Sequence, residues 1–169
     1  ALTLILTLTQ VSLWDGVVMG GGVGISIFGE YRIATEKTLF GESNPTLALT
    51  LTLTLTLTLT LTLAMPETAI GLFPDVGSSA WLPHMGGGIG EYVAMTGVRL
   101  RAADLITLGI ATHYLPSEQV TAFEAQLAGC LEPSFNGAAT RDSVETLLSQ
   151  LGDGAVPDAS KSIFGSGNA

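Results

Sequence analysis

Residues 46–63 are almost wholly alternating Leu and Thr, with no charge and no turn-forming residue among them. A period of two places Leu on one face of a strand and Thr on the other. As one strand the tract would reach about 60 Å, several times the usual strand length. As a helix it would scatter Leu around the axis and put a β-branched residue at half of its positions, which is unfavourable. As a membrane span, half of its side chains would be hydroxylic. A uniform alternating strand has no unique register, and its low charge is that of aggregation-prone segments. The tract cannot specify one structure and reads as low-complexity sequence.

A shorter Leu/Thr tract occupies residues 1–9. The expected organisation is a low-complexity segment at 1–9, a folded core over 10–128 interrupted at 41–63, and a C-terminal helix with a flexible tail over 129–169. Similar tracts at both ends of the 10–40 island suggest translated repetitive DNA.

Outside the tracts, local patterns are ordinary. Val11–Asp15 reads as a strand with a turn at Gly16, and residues 31–35 and 38–40 as short strands. Between them runs Met19-Gly-Gly-Gly-Val-Gly24. Consecutive glycines allow backbone N–H groups to approach a ligand closely, and a helix opened by them would favour a negative oxygen there. The spacing matches neither a dinucleotide fingerprint nor a Walker A loop. Such a run also serves as a packing or turn device. Further on, residues 91–95 read as a helix stopped by Gly97, 102–108 as a helix ending at Gly109, and 111–115 as a strand. Helices are expected from Ser117 to about Leu127 and over 142–151. The glycines at 86–90 suggest caps and close helix packing. Strands alternating with helices make the fold α/β.

The chemistry-bearing stretch is Met65-Pro-Glu-Thr-Ala-Ile-Gly-Leu-Phe-Pro-Asp-Val-Gly77. Glu67 and Asp75 each directly follow a proline, which stiffens the backbone around them. Carboxylates among Ile70, Leu72, Phe73 and Val76 are candidates for raised pKa values and acid/base work. From the residues alone a second reading stands beside it: two loop carboxylates facing water.

Composition narrows the partners. The net charge is −9, and the six basic residues form no run, which argues against nucleic acid and against an acidic membrane surface. Cys130 is the lone cysteine, and His84 and His113 lack ligand-like spacing, so neither a disulfide framework nor a metal site is expected. No signal peptide is visible.

Taken together, Ser12–Gly24, Tyr31–Phe40 and Ala64–Gly77 resemble the 3-hydroxyisobutyryl-CoA hydrolase branch of the enoyl-CoA hydratase/isomerase (crotonase) superfamily. Thr96–Leu100 and Gly109–Tyr114 continue the resemblance, which covers about residues 10–40 and 64–128. It implies a partial crotonase-like ββα spiral. Hydratases of that superfamily carry a Glu where this chain has Gly24, and usually glycine where it has Asp75. The resemblance therefore favours thioester hydrolysis over hydration of a double bond.

The implied chemistry begins at the thioester carbonyl of an acyl-CoA, 3-hydroxyisobutyryl-CoA, a step of valine breakdown. Its oxygen would accept from the Gly21 N–H, half of an oxyanion hole. Glu67 would act as nucleophile or as base for water, with Asp75 as the partner carboxylate holding the substrate hydroxyl or shuttling a proton. No metal or redox cofactor is implied, and the family's role suggests the mitochondrial matrix, with the peroxisome as alternative. A hydratase or isomerase, and a non-catalytic fragment of the hydrolase, are the competing readings.

Overall fold

The computed structural model describes residues 10–40, 71, 73–130, 137–152 and 154–164. Both Leu/Thr tracts lie outside these residues. Strands β1 (Val11–Trp14) and β3 (Tyr31–Ala34) pair in parallel, with Val11 opposite Tyr31 and Trp14 opposite Ala34. Strand β6 (His113–Tyr114) adds in parallel to the far side of β3. A second sheet has the order β2 (Val17–Val18), β4 (Leu39–Phe40), β5 (Leu100–Arg101), its last pair antiparallel.

Alternation along β3 divides its side chains between two cores. Tyr31 and Ile33 enter one with Leu115, Phe123 and Val144; Ala34 enters the other with Trp14, Val23, Leu100 and Leu105. Parallel sheets are usually buried on both faces, and here helices supply both covers. Helices α5 (Ser117–Cys130) and α6 (Gly137–Gly152) cover the first face, through Val120 and Phe123 on one and Val144, Leu147 and Leu148 on the other. These residues recur at three- and four-residue spacing, the apolar stripe of an amphipathic helix. The opposite face is covered by α1 (Gly20–Ser26), α3 (Ile89–Thr96) and α4 (Ala102–Thr107). Between α1 and α3 lie a short α2 (Ser78–Trp81) and two 3₁₀ turns.

The strands leave the first sheet together because a buried hydroxyl network joins them. Thr38 Oγ1 donates to the Trp14 carbonyl and accepts from the Thr35 N–H at 2.7 Å. Thr35 Oγ1 donates to Asp15 Oδ1 at 2.8 Å, and Lys37 sits 3.6 Å from the other Asp15 oxygen. Both hydroxyls are satisfied, as burial requires. Leu39 N–H then donates to Gly16 O at 2.9 Å and starts the second sheet.

Three expectations change. The strand expected over 111–115 pairs only at His113–Tyr114, and both C-terminal helices are longer than their local patterns suggested. The tail expected to be flexible is held as far as Phe164. Asp104, fully buried on α4, accepts on Oδ1 from Ser162 Oγ at 2.6 Å and from the Ile163 N–H at 2.8 Å, while its Oδ2 accepts from the Arg101 N–H at 3.0 Å. Phe164 packs on the core and meets Tyr92 edge-on at 6.4 Å between ring centroids. An acid at a helix start, 58 residues from its partner serine, is not visible as an anchor in local sequence.

Helix α5 begins on a carboxylate from the turn after β3. Glu36 accepts from the Ser117 N–H at 2.9 Å and from the Ser117 hydroxyl. Burial works to raise the Glu36 carboxyl, but the Ser117 hydrogen bonds outweigh it and hold it below its usual value. In the core that α5 covers, the Tyr31 phenol is pushed up to about 12, first by burial and then by the hydrogen bond and charge of Glu145. The neutral phenol is thus the form the fold favours. Its contribution is complete below the ordinary tyrosine value near 10 and is lost as pH rises toward about 12. Denaturation midpoints should fall across that window, at no more than about 1.4 kcal/mol per pH unit, and Tyr31→Phe should flatten the fall. An equally steep fall in Tyr31→Phe would assign it to other groups.

Candidate active site

Helix α1 starts at an extended Met19 (φ −153°, ψ 166°) and leads with Gly20, Gly21 and Gly22. It is pinned to β1 by Trp14, whose indole N–H donates to Ser26 Oγ at 3.2 Å while that hydroxyl donates back to Gly22 O at 2.6 Å. The first N–H groups of a helix have no partner within it. Here Gly22 and Val23 donate to Met19 O, at 2.6 and 3.2 Å. Gly21, exposed, takes no backbone acceptor among the described residues. The glycine run therefore does open a helix, and the Gly21 N–H at its start has no backbone acceptor among the described residues.

Asp75 reaches this helix through its neighbour. A Cβ built on Gly24 would lie 2.9 Å from the Val76 Cβ and 3.3 Å from the Val76 carbonyl oxygen. Only a residue without a side chain allows that approach, so the segment carrying Asp75 packs directly on α1, one turn beyond Gly21. Val76 itself adopts φ +44°, costly for a β-branched residue. The turn is closed by the Ser78 N–H donating to Asp75 O at 2.8 Å and the Ala80 N–H to Gly77 O at 2.9 Å. On the far side of Gly77 lies the Phe28 ring, 3.1 Å from where a Cβ would stand.

The apolar enclosure expected around Asp75 is not formed among the described residues. Asp75 is exposed, and Phe73 is 77% exposed beside it. Ile25 on α1 and Phe28 just beyond its end are exposed as well. Glu67 lies outside the described residues. Of the three site residues expected from sequence, the structure places two, Gly21 and Asp75, on adjoining segments.

Sequence reading assigned no role to residues 78–83, and the structure finds one. Ser78, Ser79 and Leu82 form one wall of a cavity of about 260 Å³, with Pro74, Glu91 and Ala94 also lining it. The Ser78 hydroxyl is buried with no hydrogen-bond partner among the described residues. This cavity begins one residue either side of the Asp75–Gly77 turn and is mostly apolar. Its walls come from α2 and α3, which meet only in three dimensions, so no spacing in the chain announces it. Among the described residues, no group of three acidic, histidine or cysteine side chains could hold a metal ion. No helix among them is long and apolar enough to cross a membrane.

Comparison with known proteins agrees with this geometry. The family model for enoyl-CoA hydratase/isomerase matches residues 4–51 and 47–165. The 3-hydroxyisobutyryl-CoA hydrolase 1 of Arabidopsis thaliana is 47% identical over 70% of this chain and 25% of its own length. The mitochondrial 3-hydroxyisobutyryl-CoA hydrolase of Xenopus laevis is 43% identical over 76% of this chain and 28% of its own length. Among solved structures, a carnitinyl-CoA dehydratase from Mycobacterium thermoresistibile superposes with a TM-score of 0.58 at 31% identity, covering 84% of this chain and 32% of that one. The chain thus spans about a quarter of the length of the curated relatives it matches. With most of its length matched by one family model and its glycine-led helix set against the Asp75 turn, the chain belongs to the enoyl-CoA hydratase/isomerase family.

Proposed function

We propose that the chain carries the thioester-hydrolysing part of an acyl-CoA hydrolase, acting on 3-hydroxyisobutyryl-CoA as its relatives' names state. The observation that carries this reading is the contact of Gly24 with Val76. A glutamate at position 24, as a hydratase would need there, meets the Val76 side chain and carbonyl before it can reach any substrate. The same contact seats Asp75 next to the helix whose Gly21 N–H is free to receive an oxyanion.

In this reading the thioester oxygen lies on the Gly21 N–H. Attack on the carbonyl carbon builds negative charge there, and the donor, fixed by the Trp14–Ser26–Gly22 chain of hydrogen bonds, stabilises it without reorganising. Glu67 supplies the attack, directly or through water, and Asp75 orients the substrate hydroxyl or moves a proton. The C–S bond then breaks and the leaving sulfur takes a proton, releasing CoA as the thiol. Where water attacked, the acid leaves as its carboxylate; where Glu67 attacked, a water molecule then cleaves the acyl–Glu67 anhydride to free it. The names of the vertebrate relatives favour the mitochondrion as the compartment.

The direct test is thiol release from 3-hydroxyisobutyryl-CoA, set against hydration of crotonyl-CoA by the same preparation. Thiol release without hydration is expected. Hydration exceeding thiol release would overturn the hydrolase reading.

A further inference from the structure

A second cavity, of about 270 Å³, opens at the other end of α1. Gly21 and Ile27, which lines it, are separated by about 9 Å of helix. Its wall carries Arg32 and His84 beside Ile27, Trp81, Met85 and Leu108, and no acidic residue lines it among those described.

Arg32 is the unusual member. Its Nε donates to Ile110 O at 2.5 Å, Nη1 to Gly29 O at 2.6 Å and Nη2 to Gly109 O at 3.2 Å. Those bonds use three of the five guanidinium N–H groups and leave one on each terminal nitrogen. All three acceptors are neutral carbonyls. None of the ion pairs among the described residues involves Arg32. Burial lowers its pKa. A guanidinium remains charged regardless. A partly desolvated cation with no counter-charge among the described residues, in a chain of net charge −9, is a position where an anion gains and a second cation loses.

We propose that this cavity binds a short-chain carboxylate. The two free Nη–H groups suit the paired oxygens of a carboxylate. The His84 ring can add an N–H in either protonation state. Ile27, Trp81, Met85 and Leu108 offer apolar surface to a short alkyl end beside the polar part of the lining. Because the cavity is separate from the thioester site, binding here does not depend on hydrolysis there.

The whole chain is titrated with isobutyrate, with isobutyramide of the same shape and no charge, and with inorganic phosphate. The Arg32 Nε–H and Trp81 Nε1–H resonances report on the cavity directly. Isobutyrate is expected to shift both saturably, the amide to bind at least about tenfold more weakly, and His84→Ala to weaken isobutyrate severalfold. His84 is exposed, so that variant leaves the fold intact. Arg32→Gln is expected to abolish binding; where it fails to fold, acid against amide in the unaltered chain decides. Equal binding of acid and amide, or unmoved resonances, overturns the site. Phosphate binding as tightly as isobutyrate overturns the carboxylate assignment.

Discussion

Asp75→Asn and Glu67→Gln are each expected to lower kcat for thiol release from 3-hydroxyisobutyryl-CoA by about 10² to 10⁴. Both substitutions keep the size of the side chain and remove its ability to take a proton, so folding should be unaffected and KM should move much less than kcat. The effect requires the carboxylates to act on the reacting atoms. Gly24→Ala supplies an independent check, because a side chain there meets the segment that carries Asp75. Its added methyl would stand 2.9 Å from the Val76 Cβ and must push the Asp75 turn outward. A displacement near 1 Å costs about a hundredfold when a catalytic group is moved. Gly24→Ala should therefore lose activity with Asp75 present and change little once Asp75 is already Asn. Thiol release that survives Glu67→Gln and Asp75→Asn together would sink the assignment of the site.

Gly90→Ala is expected to destabilise the chain by about 3 kcal/mol or more, at or beyond the upper end of ordinary overpacking. The first turn of α3 lies against the 3₁₀ turn Leu82–His84, and a Cβ on Gly90 would stand 1.9 Å from Leu82 O and 2.7 Å from Leu82 C. Those are backbone atoms, with no flexible end to swing aside. Relief requires α3 to move from a turn whose Leu82 and Met85 fill the same core as Val93. Gly87→Ala is the contrasting variant. Nothing lies within 4 Å of a Cβ there, although its φ of +68° carries a modest strain of its own. Urea midpoints for the two should separate clearly. A loss at Gly90 no larger than at Gly87 would mean the two elements are not in the contact described.

Both predictions turn on glycines whose meaning differs in sequence and in structure. The run at 20–22 left a helix opening and a packing or turn device both open in sequence, since glycine is a poor helix former, and the structure makes it the start of α1. The strands at 11–15 and 31–35 and the helix stopped at Gly97 were legible. The glycines at 86–90 were expected to serve close packing, and Gly90 does so against Leu82. What was not legible was partner choice. β1 and β3 form one sheet and β2 and β4 another because Thr35, Thr38 and Asp15 lock the crossing, and those contacts join residues about 20 apart.

The site divides the same way. Residue types and their resemblance to a family were enough to single out Gly21, Glu67 and Asp75, and to expect thioester chemistry, since chemistry is carried by functional groups that can be read letter by letter. Surroundings cannot be read so. Among the described residues the apolar neighbours of Asp75 leave it exposed, because apolar neighbours in sequence bury a carboxylate only when the chain folds them around it. The positive φ of Val76, the seat of the Asp75 turn on Gly24, the anchoring of Phe164 through Asp104, and the placing of Arg32 beside a cavity were decided by tertiary structure alone. Each depends on atoms from distant parts of the chain meeting within a few ångströms, and no local propensity encodes that meeting.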